Sequence, residues 1–231
     1  FCLSRGLGDV YKRQIQMPAI KKKFPQNEKE RNDWRDFAMK NEIIKNAIEL
    51  FAKKGYYGCT LDEIAKSVSI KKASLYYYFP SKANIYEECT VRIFNHFNRM
   101  LDLQEDASHT SLENLKQFIL DVVFKPNISY LRMYLQFTQA PDEFKEQLYV
   151  NVAALHKRVI ALFKVFYEKN DVSISFSAFE ELMFGVIESG FVRTTFINYF
   201  DELSYRRETL EGEVSSMLDS LLELNESQID E

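Results

Sequence analysis

Residues 40–88 read KNEIIKNAIELFAKKGYYGCTLDEIAKSVSIKKASLYYYFPSKANIYEE, and the architecture of the chain follows from them. Ile43, Ile44, Ala47, Leu50 and Phe51 recur at helical spacing, and Lys53, Lys54 and Gly55 add a basic last turn and a glycine stop. Thr60 and Glu63 stand three residues apart, as in a capping box, where the hydroxyl accepts from a backbone N–H and the carboxylate reaches back. A short second helix through Ile64, Ala65 and Val68 follows, then a tight turn at Ser69 and Ile70, then a third helix from Lys71 to about Phe79. Pro80 breaks that helix, and Ser81 caps a long amphipathic fourth reaching about Leu103. Two short helices around a tight turn, the second bearing small, basic and aromatic side chains, make helix-turn-helix grammar.

The third helix has the chemistry of a major-groove reader. Its N-terminal end must approach base edges, and Lys71, Lys72, Ala73 and Ser74 occupy that end. The small Ala73 and Ser74 permit close approach, while Lys72 can donate to guanine or to phosphate. Tyr76 and Tyr78 carry hydroxyls suited to phosphate oxygens, although one tyrosine of the three at 76–78 is also a candidate for packing. Thr60 and Lys82 fall at helix N-termini, where backbone N–H groups and the helix dipole favour phosphate. Leu75 and Phe79, four apart, anchor the helix to its own core.

This ordered combination over nearly fifty residues resembles the DNA-binding domain of the TetR (TetR/AcrR) regulators. The resemblance rests on LFAKKGYYGCT, on Asp62-Glu63-Ile64-Ala65, and on the run from Ser74 to Lys82. It implies phosphate contacts at Thr60, Tyr76, Tyr78 and Lys82, and base contacts from Lys71 to Ser74 with Tyr77. It also implies double-stranded DNA with a palindromic operator, a homodimer and a small-molecule effector. Two positions depart from the family pattern: Ser69 stands where the turn commonly has glycine, and Lys71 where a capping Ser or Thr is frequent. A turn that needs positive φ would leave Ser69 mildly strained.

Outside this stretch the composition is that of a helical protein. Of 231 residues 46% are hydrophobic, yet only 7 are Gly and 5 Pro, too few for the turns of a many-stranded fold. The net charge of -4 conceals an asymmetry: residues 38–100 carry ten Lys/Arg against six Asp/Glu, residues 101–231 eleven against twenty-three. One end suits a polyanion and the other repels it. Ser4–Gln14 matches a translated sequencing adapter, so residues 1–14 are read as a probable assembly scar, with Met17 or Met39 as candidate starts. Residues 15–37, with Lys21, Lys22 and Lys23, read as a flexible basic arm that either touches DNA or is a solvated tail.

The expected fold is all-α, about nine helices: a helix-turn-helix domain over 38–85 and a ligand-binding and dimerisation domain over 86–231, with helices near 111–124, 127–137, 142–169, 175–200 and 204–224. Tyr130, Met133, Tyr134, Phe137, Phe163, Tyr167 and Phe184 are candidates for an apolar effector pocket, with core packing as the competing role of each. His156 and Arg132 could orient a polar group of the effector. By family resemblance the last two helices would dimerise through Phe179, Met183, Val186, Ile187, Val214, Met217 and Leu221, with Gly190 permitting close approach.

The chain lacks GxxxxGK[ST], GxSxG and HExxH, its three histidines are far apart, and Glu180 and Glu181 do not share a helix face. An enzyme is therefore not expected, nor a catalytic residue, metal or cofactor. Cys2, Cys59 and Cys89 lack metal-ligand spacing, and no apolar run approaches a membrane span, so the expected location is cytoplasmic. The rival reading is a DNA-binding adaptor of the same fold without an effector, which a tightly packed C-terminal domain would favour.

Overall fold

The computed structural model describes residues 27–105, 110–196 and 207–223. Among them are nine α-helices, one 3-10 turn and no strand: α1 (Glu28–Gly58), α2 (Leu61–Ser67), α3 (Lys72–Tyr78), α4 (Lys82–Glu105), α5 (Leu112–Phe124), α6 (Ile128–Leu135), the 3-10 turn (Gln136–Gln139), α7 (Asp142–Lys169), α8 (Phe176–Phe196) and α9 (Arg207–Glu223). The chain divides into two compact units, 1–42 and 43–231.

The described part of the first unit corrects the expected arm. Residues 28–37 are helical, because Asn27 caps them: its Oδ1 accepts from the Glu30 amide at 2.8 Å, and its Nδ2 donates to the Glu30 carboxylate at 2.9 Å. Trp34 and Phe37 stay exposed on this helical stretch, which bears three cations and four carboxylates over 27–37. The adapter-like 1–14 and the lysines at 21–23 lie outside the described residues.

In the second unit the helix-turn-helix core forms where the periodicity put it. Ile43, Ile44, Ala47, Ile48 and Phe51 of α1, Ile64 and Ala65 of α2, Leu75 of α3, and Ile85 and Cys89 of α4 are all buried. The glycine stop is seen directly: Gly55 has φ 68° inside the span of α1. Behind the head, α4 to α9 form a helical bundle in which α4 packs on α7, α5 on α8 and α9, and α8 on α6, α7 and α9. The α5–α8 crossing is close at Gly190, where a Cβ would fall 2.8 Å from one methyl carbon of Val123 and 2.9 Å from the other. The close approach expected of Gly190 between protomers is thus made within one. The ends of α5 to α7 follow the expected breaks, with Ser111 and Asn127 as N-caps and Pro141 ahead of α7. No described helix is long and apolar enough to cross a membrane.

Candidate nucleic-acid interface and effector cavity

The turn between α2 and α3 is built from a Schellman-type closure. The Ile70 amide donates to the Ala65 carbonyl at 2.9 Å and the Ser69 amide to the Lys66 carbonyl at 3.1 Å. Such a closure needs a left-handed residue after the cap, and Ser69 supplies it at φ 58°, the one positive φ of a non-glycine among the described residues. The strain foreseen at Ser69 is real. Lys71 precedes α3 without a side-chain cap, as its replacement of Ser or Thr leads one to expect.

At the start of α2 the capping box is complete: the Glu63 amide donates to Thr60 Oγ1 at 3.2 Å, and the Thr60 amide donates to Glu63 Oε2 at 2.9 Å. Lys54 pairs with Glu63, and that hydrogen bond, with those from the Thr60 amide and hydroxyl, holds the Glu63 carboxyl down at about 2. The box therefore stays charged at any ordinary pH, and the end of α1 is tied to the start of α2.

Lys71, just ahead of α3, and Lys72, Ala73, Ser74, Tyr76 and Tyr77 on it are all exposed. Lys72 Nζ donates to Asp62 Oδ2 at 2.9 Å, which raises the lysine pKa and keeps it cationic. Both partners are about half exposed, and such pairs are weak enough to open when a phosphate or guanine arrives. Tyr78 is half-buried and edge-on to Tyr77 at 5.0 Å.

Lys82 is tied to the end of α1. Its ammonium donates to the carbonyls of Tyr56 at 2.9 Å and Cys59 at 3.1 Å, and sits 4.2 Å from the centre of the Tyr56 ring. These carbonyls are left over where α1 ends, and a cation is their natural cap. In this structure Lys82 holds the α1–α2 loop.

The helical bundle contains a partly open cavity of about 320 Å³. Tyr134 and Phe184 line it as expected, as do His156, Phe118 and Phe191. Tyr130, Met133, Phe137, Phe163 and Tyr167 do not. Tyr130 stands edge-on to His96 at 5.3 Å, and Phe137 packs on Phe94 at 5.4 Å. Phe163 and Tyr167 pack against Phe179, with the Tyr167 hydroxyl donating to the Ile174 carbonyl. Met133 is buried beside a smaller hollow against the end of α1. Arg132, weighed as a ligand contact, donates instead to the Thr195 carbonyl at 2.8 and 3.1 Å. Reading by aromatic type missed the aliphatic lining. The signal that finds part of it is on α7, where Val152, Leu155, His156 and Val159 fall at i, i+3, i+4 and i+7 with one imidazole in the stripe.

The expected dimer residues also divide. Phe179, Met183, Val186, Ile187 and Val214 are no more than 7% exposed in the single chain, so these five have no free surface to offer. Met217 remains exposed and Leu221 half-exposed. The open stripe of α8 is a different one: Leu182, Gly185, Ser189, Val192 and Phe196, spaced 3, 4, 3 and 4 as in a helix–helix seam.

The family model of the bacterial regulatory proteins, tetR family, matches residues 43–89, the span of the head described above. The biofilm operon icaADBC HTH-type negative transcriptional regulator IcaR of Staphylococcus aureus (strain Newman) is 36% identical over 184 residues, covering 80% of this chain and 99% of its own. IcaR of Staphylococcus epidermidis is 34% identical over 188 residues with the same shares. Among solved structures, the Bacillus subtilis transcriptional regulator FadR in complex with stearoyl-CoA shares the fold at a TM-score of 0.54 and 17% identity, over 78% of this chain and 98% of that one. With a matching head and similarity that runs almost end to end through its relatives, this chain belongs to the tetR family of bacterial regulatory proteins.

Proposed function

We propose that the protein is a repressor that holds a palindromic operator as a homodimer and leaves it when a small apolar or amphipathic molecule fills the bundle. The observation that carries this reading is the pairing, within one unit, of an exposed recognition helix with a 320 Å³ cavity. Volumes of about 300–1,000 Å³ are typical of small-molecule sites. An adaptor without an effector calls for a filled bundle. The negative sign of regulation is supported by the IcaR relatives, whose names describe negative regulators.

A route from cavity to head supports the mechanism. Tyr134 and Leu135 line the cavity, and the next residue, Gln136, donates through Nε2 to the Ala52 carbonyl of α1 at 2.7 Å. A molecule that prefers a shifted α6 biases the head by its differential affinity for the two arrangements. The exposed α8 stripe with Met217 and Leu221 is the surface we assign to the second protomer, and two recognition helices then read two half-sites.

The test is selection from random duplex DNA at several salt concentrations. A palindromic site, bound with steep salt dependence, is the expected result. Lys72→Ala should change the selected sequence, while Tyr76→Phe should weaken all sequences alike. The opposite assignment of those two effects would overturn the contact scheme, and failure to select any site would overturn the operator reading.

A further inference from the structure

The cavity's polar groups discriminate by charge. Six aromatic rings, the His156 imidazole among them, contribute to its wall, and three of them, Phe97, Tyr134 and Phe191, stand within 5.5 to 6.1 Å of one another. The face of such a ring carries the negative side of its quadrupole, which attracts cations and repels anions. One carboxylate, Glu188, is part of the lining, and no Lys or Arg is. Glu188 is exposed to solvent and also near enough to Tyr134 to push that phenol further up, beyond the effect of burial, to about 12. It therefore stands at the lip, beside the aromatic cluster.

Three arginines of the lining helices are engaged with other groups. Arg132 is on the Thr195 carbonyl, Arg158 on Asn98 and Asp102, and Arg193 on Glu213. The surrounding field has the same sign as Glu188, because residues 101–231 carry twelve more acidic than basic side chains. An anionic head group would meet a carboxylate, the aromatic cluster and a negative field, with no Lys or Arg in the lining to offset them.

The geometry points to a lipophilic cation as the effector class: an amine or quaternary ammonium held by Glu188 and the Phe97–Tyr134–Phe191 rings, with its apolar body inside the bundle. This inference rests on the effector reading above and narrows it. It sets the cavity apart from one built for a fatty acyl anion.

The test uses the full chain and three amphiphiles that share a ten-carbon tail: decyltrimethylammonium, decanol and decanoate, below their micelle-forming concentrations. Each competes against the neutral apolar dye N-phenyl-1-naphthylamine. Decyltrimethylammonium should bind roughly tenfold tighter than decanol, the size expected of a ring-and-carboxylate site for a cation, and decanoate more weakly than either. Glu188→Gln should remove a large part of the cation's advantage and leave the dye and decanol unchanged. Glu188→Lys should reverse the order of the two ions. Decanoate binding as well as the cation, or no change in Glu188→Gln, would overturn the charge assignment while leaving the cavity as an effector site. No binding of any of the four compounds would overturn the effector reading and this inference with it.

Discussion

At the residue scale, two side chains show how the head keeps its shape. Ser69 occupies a left-handed conformation that glycine adopts freely and serine only at a cost. Because the amides of Ser69 and Ile70 are already bonded to α2, substitution by glycine removes strain and breaks no contact. Ser69→Gly is expected to raise stability by about 0.5–1 kcal/mol in urea unfolding, the net of strain relief and a looser unfolded chain. A loss of stability would mean that the Ser69 side chain contributes more than its backbone costs. Lys82 is the second case. Lys82→Met should cost about 1–2 kcal/mol of stability, because two carbonyls lose a charged donor. If that variant unfolds like the parent and only flattens the salt dependence of DNA binding, the residue is a phosphate contact after all. The Ser69 strain was legible in the sequence through the family resemblance, which puts glycine at that position of the turn. The Lys82 role was not, because its partners are backbone carbonyls more than twenty residues away.

At the element scale, the spacing of apolar residues located each helix but not which neighbour its faces meet. α8 is apolar nearly all round, with Phe179, Met183, Val186 and Gly190 turned into the bundle and Leu182, Val192 and Phe196 left outside. A helix with so little amphipathic contrast does not announce which stripe is the core. The sequence therefore marked as dimer contacts several residues that the protomer keeps for itself. Gly190 makes the point quantitatively, because its missing side chain is what lets α8 lie against Val123. Gly190→Ala places a methyl against both branches of a buried, β-branched valine that cannot swing aside. An overpacking loss of about 1–3 kcal/mol is expected in thermal or chemical denaturation. Recovery of stability in Gly190→Ala with Val123→Ala would identify the crossing as the cause, and an undiminished single variant would show that the α5–α8 gap can open without cost.

At the scale of the whole molecule, this tetR-family protein combines a basic head with an acidic bundle, and the dimer proposed above rests on the open stripe of α8. Leu182→Glu with Val192→Glu puts charges at 41% and 43% exposed positions, which a folded protomer tolerates and an apolar seam does not. The variant should sediment as a folded monomer and lose affinity for a palindrome on the order of 10²-fold, as two linked contacts become one. Phe179→Glu should instead unfold the protein, since that ring is 1% exposed. If the double variant remains dimeric, the seam lies on another face. Read by itself, the sequence determined the head, its capping box, its strained turn and the all-helical class, because these depend on residues within a few positions of one another, where hydrogen bonding and helical periodicity act. The tertiary structure decided which aromatic rings line the cavity, which stripe of α8 stays open, and where Lys82 and Arg132 spend their charge. Those outcomes depend on how distant helices cross, and the free energy of crossing is a sum over many contacts that no local pattern records.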